Sequence, residues 1–156
     1  MDRERVLQLL TRYGDDVFRL AMSYLGNRPD AEDISQDVFL AALSTKREPL
    51  PNKEKAWLLT CTANACRNHL KSFWRRNVGT LDEAIPFRDE KDRSLYDAVM
   101  KLAPKYRAVI HLYYYEGYDQ REISEILHLT RTAVQTRMSR AREMLKKELK
   151  DDEGAL

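Results

Sequence analysis

Glycine and proline are scarce in this chain, five of each among 156 residues. Sandwiches and barrels need such residues at turn after turn, so the shortage, set beside abundant Leu, Ala, Arg, Glu and Lys, favours an all-α protein. There are only two cysteines, Cys61 and Cys66. They cannot build a disulfide framework, which agrees with a reducing compartment. No apolar run approaches bilayer-spanning length, and the first residues are too charged for a secretory signal, so a cytoplasmic location is expected. A phosphate-cradling glycine loop, a zinc-protease helix signature and a nucleophile elbow are also missing. The residues call for no cofactor, no metal and no small-molecule substrate, and an enzyme would have to hide its catalytic groups in ordinary helix.

What is present suits a binding protein. An apolar content of 43% is enough for a buried core, and the length allows one ordinary domain or two small ones. The net charge of +2 conceals a segregation. Residues 1–76 carry 13 bases and 10 acids, residues 77–95 carry 3 and 5, residues 96–150 carry 11 and 7, and residues 151–156 carry three acids alone. Two basic blocks thus flank an acidic connector. Bases concentrate further at Arg67, Lys71, Arg75 and Arg76, and again over 131–150. Such clusters suit phosphate contact, although a charge run is also the ordinary dress of a solvated face.

The stretch from Gly117 to Arg142 reads as two short helices joined by a tight turn. Ile123, Ile126, Leu127, Leu129, Val134 and Met138 recur at helical spacing and would share one small core. Arg131, Gln135, Thr136, Ser139 and Arg140 would then face outward, the arrangement by which a helix-turn-helix meets DNA.

Periodicity and breakers organise the rest. Val6, Leu9, Leu10, Tyr13, Val17, Leu20 and Ala21 predict one bent helix or a helix pair over 2–24, softened at Gly14. Asn27 and Pro29 mark a new start, and Asp30 to Leu43 forms a compact amphipathic helix with Ile34, Val38 and Ala42 inward and Asp30, Glu32, Asp33, Gln36 and Asp37 around the other side. First-turn carboxylates also favour the helix dipole, so part of that acidity is ordinary capping. Pro49 and Pro51 make 44–52 a loop. A long helix follows from about Lys53 to Arg76, with Ala56, Leu59, Ala63, Cys66 and Leu70 inward. Residues 77–95, holding Gly79, Pro86 and five acids, read as a flexible acidic linker. Helices are then expected over Leu95–Leu102 and Tyr106–Tyr115, and Asp151 to Leu156 reads as a frayed tail. The domains are therefore 1–76 and 96–150, two small helical bodies, the second containing the helix-turn-helix.

Three segments in this order carry a resemblance: DAEDISQDVFLAAL, WLLTCTANACRNHLKSFWRR, and LAPKYRAVIHLYYYEGYDQREISEILHLTRTAVQTRMSRAR. Together they resemble the extracytoplasmic-function sigma factors of bacterial RNA polymerase, over nearly the whole chain. The resemblance implies that Asp30, Glu32, Asp33, Gln36 and Asp37 dock on the clamp coiled coil of the polymerase largest subunit, where acids can steer and register a basic partner. It implies contact with the polymerase flap as well. The helix begun by Trp57 would capture an unstacked base of the minus-10 element. Asn64 and Asn68, four apart on one face, offer amides for the base edges, while Lys71, Arg75 and Arg76 follow the phosphates. Lys46, Arg47, Lys53 and Lys55 would rim the pocket. Trp57 itself is better suited to the core or to anchoring the loop; Phe73 and Trp74 suit either role.

In the second domain the resemblance implies recognition of the minus-35 element. Gln135, Thr136, Ser139 and Arg140 match the DNA-facing positions, with Gln135 and Arg140 the choices for base readout. Arg121, Arg131, Arg137 and Arg142 are placed for phosphates or intramolecular pairs. The family often has Arg or Lys where Gln135 stands and Gly where His128 stands, so Leu127 or His128 must take a strained turn conformation. The tyrosines 113, 114, 115 and 118 read as packing with polar tips. An anti-sigma factor is the further partner implied. The linker acids Asp82, Glu83, Asp89, Glu90 and Asp92 would mimic phosphate in a basic channel.

Other classes remain open at this point. A metal or redox site at Cys61, Cys66 and His69 is disfavoured, because on one helix the two thiols point about 140° apart. His111, amid Ile110, Leu112 and tyrosines, reads as structural. A free-standing helix-turn-helix regulator would dimerise and would not need the Asp30 or Asn64 helices. An adaptor whose helical halves bind a protein inhibitor is the rival from another class.

Overall fold

A computed structural model describes the backbone of residues 1–76 and 90–154 and the side chains of residues 1–72 and 95–150. Among the described residues all regular structure is helical. The chain divides into two compact units, Met1–Asp82 and Glu83–Leu156.

The first unit is a three-helix bundle of α1 (Arg3–Leu25), α2 (Arg28–Leu43) and α3 (Glu54–Arg76). The Asp2 carboxylate accepts the Arg5 N–H at 2.8 Å and caps α1, which ends where Gly26 turns left-handed at φ 73°. Gly14 does not split the helix. Its missing side chain leaves room for Leu10, whose Cδ1 lies 3.3 Å from where a Cβ would stand. Leu10 itself stays exposed, and Val6, Leu9, Val17, Leu20, Ala21 and Tyr24 make the buried stripe.

Asn27 caps α2 by accepting the Asp30 N–H at 2.9 Å, and Pro29 sits in the first turn, where a missing N–H is harmless. Ala31, Ile34, Val38, Phe39 and Ala42 face the core. On α3 the buried residues are Leu58, Leu59, Thr62, Ala63 and Cys66, while Ala56 and Leu70 are only half-buried. The stripe is wider than a single series because α1 and α2 both pack on α3. Thr62 tolerates burial by donating its hydroxyl proton to the Leu58 carbonyl at 2.7 Å. Across the bundle Arg5 pairs with Glu54 at 3.1 Å and Lys55 with Asp16 at 3.8 Å.

The second unit contains α4 (Glu90–Met100), α5 (Pro104–Ile110) continued by a π-helical turn (His111–Tyr115), α6 (Gln120–Leu127) and α7 (Arg131–Gly154). The single helix expected over 106–115 therefore widens at His111, where the Glu116 N–H reaches back to the His111 carbonyl at 3.1 Å. Helix α4 starts at Glu90, inside the stretch expected to be linker, since the acids counted toward a linker also favour a helix N-terminus. Asp82, Glu83 and Asp89 lie outside the described residues. Helix α7 runs on to Gly154 rather than fraying at Asp151, because neither Gly nor Pro interrupts 131–153.

Arg107 is the buried cation of this unit. It donates to the carbonyls of Leu102 at 2.7 Å and Met100 at 3.4 Å, satisfying the end of α4. Burial pulls its pKa down to about 10, against the opposing influence of Tyr96. The core it borders contains Val109, Leu112, Ile123, Ile126, Leu127, Val134, Met138 and Ala141.

Candidate functional site

The helix-turn-helix is built by three local devices. Asp119 and Glu122 form a reciprocal capping box that starts α6, with bonds of 2.8 and 3.0 Å. His128 ends α6 in the left-handed region at φ 53°, and Leu129 N–H closes onto the Ser124 carbonyl at 2.9 Å. Of the two residues expected to absorb the turn, His128 is the one that does. Thr130 then caps α7 by accepting the Ala133 N–H at 3.0 Å.

With Val134, Met138 and Ala141 buried, α7 presents its opposite strip to solvent. Gln135, Ser139, Arg140 and Arg131 are exposed, and Thr136 is half-buried. At about 100° per residue, Thr132 falls in the middle of this strip beside Gln135 and Ser139. It is exposed, and the sequence reading passed over it, although the same helical arithmetic would have found it. The strip ends at exposed Glu143, whose charge repels a phosphate. Its chemistry is uncharged hydrogen-bonding groups flanked by guanidinium groups, the mixture that suits base edges between two backbones.

Two arginines are otherwise engaged. Arg121 pairs with Glu125 at 3.3 Å one turn on. Arg142 donates to the Tyr114 hydroxyl at 3.0 Å and lies over the rings of Tyr113 and Tyr114 at 5.4 and 5.8 Å. Tyr113 and Tyr118 are half-buried, but Tyr114 and Tyr115 are exposed, at 59% and 75%, so the packing expected of all four holds only in part; Tyr115 lies stacked on His111 at the surface. His111 is not without company: its Nε2 lies 3.3 Å from the Glu116 carboxylate, in a poorly aligned contact between two nearly buried side chains.

In the first unit, Glu32, Asp33, Gln36 and Asp37 are exposed on α2. Helical geometry sets Leu40 between Asp33 and Gln36, and Leu40 is 60% exposed, with Leu43 also exposed. The sequence reading missed this apolar centre of the acidic face. Arg28 pairs with Glu32 at 3.0 Å. Asp30 differs from its neighbours: it is half-buried, accepts from the Asn27 amide at 2.9 Å, and meets His69 Nε2 of α3 at 3.2 Å.

On α3, Asn64, Asn68 and Lys71 are exposed, and Arg67 donates to the Asn64 amide oxygen. Arg75 and Arg76 lie in the last turn of α3, their side chains outside the described residues. Lys46, Arg47 and Lys53 are exposed in and beside the 44–53 loop, whereas Lys55 turns toward Asp16. Trp57 lines a shallow apolar cleft of about 220 Å³ between α2 and α3, with Val38, Ala41, Cys61 and Ala65, which fits an anchoring role. Burial raises both thiols, Cys66 to about 12. Among the described residues no group of His, Cys, Asp and Glu is arranged to hold a metal.

Residues 9–76 match the family model Sigma-70 region 2, and residues 92–145 match Sigma-70, region 4. The RNA polymerase sigma factor SigV of Bacillus subtilis is 30% identical over 149 residues, covering 90% of this chain and 88% of that protein. The ECF RNA polymerase sigma factor SigW of the same organism is 28% identical over 171 residues, covering 96% and 91%. The chain belongs to the extracytoplasmic-function sigma factors.

Two solved structures have a similar fold. The sigma factor RpoE, in complex with the anti-sigma factor NepR from Bartonella quintana, superposes with a TM-score of 0.79 at 22% identity, covering 92% of this chain and 95% of that one. CnrH, in complex with the cytosolic domain of CnrY, gives 0.68 at 27% identity, covering 97% and 91%. Sigma factors are promoter-recognising specificity subunits of RNA polymerase, and the two matched regions fall one on each unit of this sigma factor. No helix among the described residues is long and apolar enough to cross a membrane.

Proposed function

We propose that this sigma factor recognises a two-part promoter with one unit per element and carries out no catalysis of its own. The observation that bears most weight is the composition of the exposed α7 strip, Thr132, Gln135, Thr136, Ser139 and Arg140, on a helix-turn-helix whose turn is locked by caps on both sides. These side chains read the minus-35 element, Gln135 favouring adenine and Arg140 guanine, while Arg131 reaches phosphates and Arg121 does so by exchanging its exposed ion pair with Glu125. In the first unit, Asn64 and Asn68 take the edges of an unstacked minus-10 base, and Lys71, Arg75 and Arg76 follow its backbone.

The α2 face docks on the polymerase clamp. Glu32, Asp33, Gln36 and Asp37 supply steering and register, and Leu40 supplies the desolvated centre that a ring of charge alone lacks. The second unit contacts the flap. The sigma factor acts in the cytoplasm with the polymerase, and an anti-sigma protein holds it when idle. The helical fold it has in common with RpoE, solved with the anti-sigma factor NepR, and with CnrH, solved with the cytosolic domain of CnrY, supports that partner.

The test is co-purification with core polymerase followed by run-off transcription on promoters selected from a random library. Stoichiometric holoenzyme and promoter-dependent transcripts are expected. Sequence-specific binding of free DNA with no affinity for core would favour a free-standing regulator instead.

A further inference from the structure

Resting on that reading, we infer that Asp30 and His69 are a pair of positioning residues that couple the polymerase-docking helix to the promoter-melting helix, rather than a docking acid and an idle histidine. Three bonds carry the inference. The Asn27 side chain accepts the Asp30 N–H at 2.9 Å and donates back to Asp30 Oδ2, also at 2.9 Å. The same Oδ2 meets His69 Nε2 at 3.2 Å. The cap that starts α2 is thereby continued, through one carboxylate oxygen, to a side chain on α3.

The placement of His69 gives this link its consequence. It follows Asn68 directly and stands about 100° from it around α3, so the imidazole points at α2 while Asn64 and Asn68 face solvent. Asp30 and His69 are each about one-third exposed, unlike Glu32, Asp33, Gln36 and Asp37, which stand open. The apolar core in which Ile34, Val38 and Ala42 are buried holds the bundle together but resists sliding weakly, because burial has no direction. A hydrogen bond does have direction, and this one sets the depth and rotation of the Asn64 and Asn68 face relative to a docked α2.

The prediction concerns melting rather than docking. Holoenzymes carrying His69→Ala, Asp30→Ala, both together, or His69→Gln are compared on a library-selected promoter and on the same promoter with its start-site region already unpaired. Permanganate reactivity of unpaired thymines on the duplex promoter, transcription from both templates and core affinity are the readouts, with thermal melts of each free variant. His69→Ala and Asp30→Ala should each lower opening about three- to ten-fold, with core affinity within about two-fold of the original. The double variant should be no worse than either single. His69→Gln, whose amide can still donate to Asp30, should recover most of the loss, and the unpaired template should erase it. A simple loss of fold would move the thermal melt and would not vanish on unpaired DNA. Weakened core affinity in Asp30→Ala alone, or losses that multiply in the double variant, would overturn the coupling. If the unaltered chain gives neither holoenzyme nor transcripts, the sigma-factor reading itself fails.

Discussion

At the scale of single residues, function rests on a few side chains whose backbones are held still. Gln135 stands one helical turn inside the capped start of α7, exposed above a buried Val134. Gln135→Ala should cost about 1–3 kcal/mol against the preferred base at one minus-35 position and leave the others unchanged. Transcription from templates substituted base by base along the element checks it. Arg131→Ala should weaken all templates alike. The cysteines give a prediction about pH. Desolvation raises the Cys66 thiol to about 12 in the folded chain, against 9.0 ordinarily. A group raised in this way contributes stability below its unfolded pKa and loses it as pH climbs toward the folded value. Cys66 should therefore lower stability between about pH 9 and 12, by about 1.4 kcal/mol per pH unit within that window, a slope Cys66→Ala removes. In native protein near pH 8, thiol labelling should be slow at half-exposed Cys61 and absent at Cys66.

At the scale of elements, local signals and long-range contacts divide the work. His128 occupies a left-handed turn at φ 53° that glycine adopts without strain. His128→Gly should stabilise the second unit by about 0.5 kcal/mol, raising its melting midpoint by about 2–4 °C with DNA recognition intact. Elements with local signals were legible in the sequence: Asn27 and Pro29 opened α2, Pro49 and Pro51 marked the loop, and the position of His128 announced the turn. The π-helical turn at His111 was not legible, since a one-residue widening leaves the apolar spacing of 106–115 almost untouched. Nor were the burial of Leu58 and Thr62, the seating of Arg107 on α4 carbonyls, or the meeting of Asp30 and His69. Each depends on what lies across the bundle, which spacing along one helix does not encode. Thr132 and Leu40 are different: both follow from counting residues around a helix.

At the scale of the whole molecule, two units with different surfaces divide one task. Acids around an exposed leucine suit a basic protein partner, and amides and hydroxyls between arginines suit DNA. Leu40→Ser should weaken core affinity about ten-fold while leaving folding stability within about 0.5 kcal/mol, because the side chain is already in water. Fluorescence titration of core polymerase, paired with a thermal melt, checks both halves. The most direct measurement is run-off transcription by core polymerase plus this chain on a library-selected promoter, with the minus-35 and minus-10 elements scrambled separately. Transcripts should require the chain and fall when either element is lost, with Gln135→Ala changing the response only at the minus-35 element and Asn68→Ala only at the minus-10. Initiation without the chain, or indifference to both scrambled elements, would contradict a sigma factor that reads DNA with these two faces.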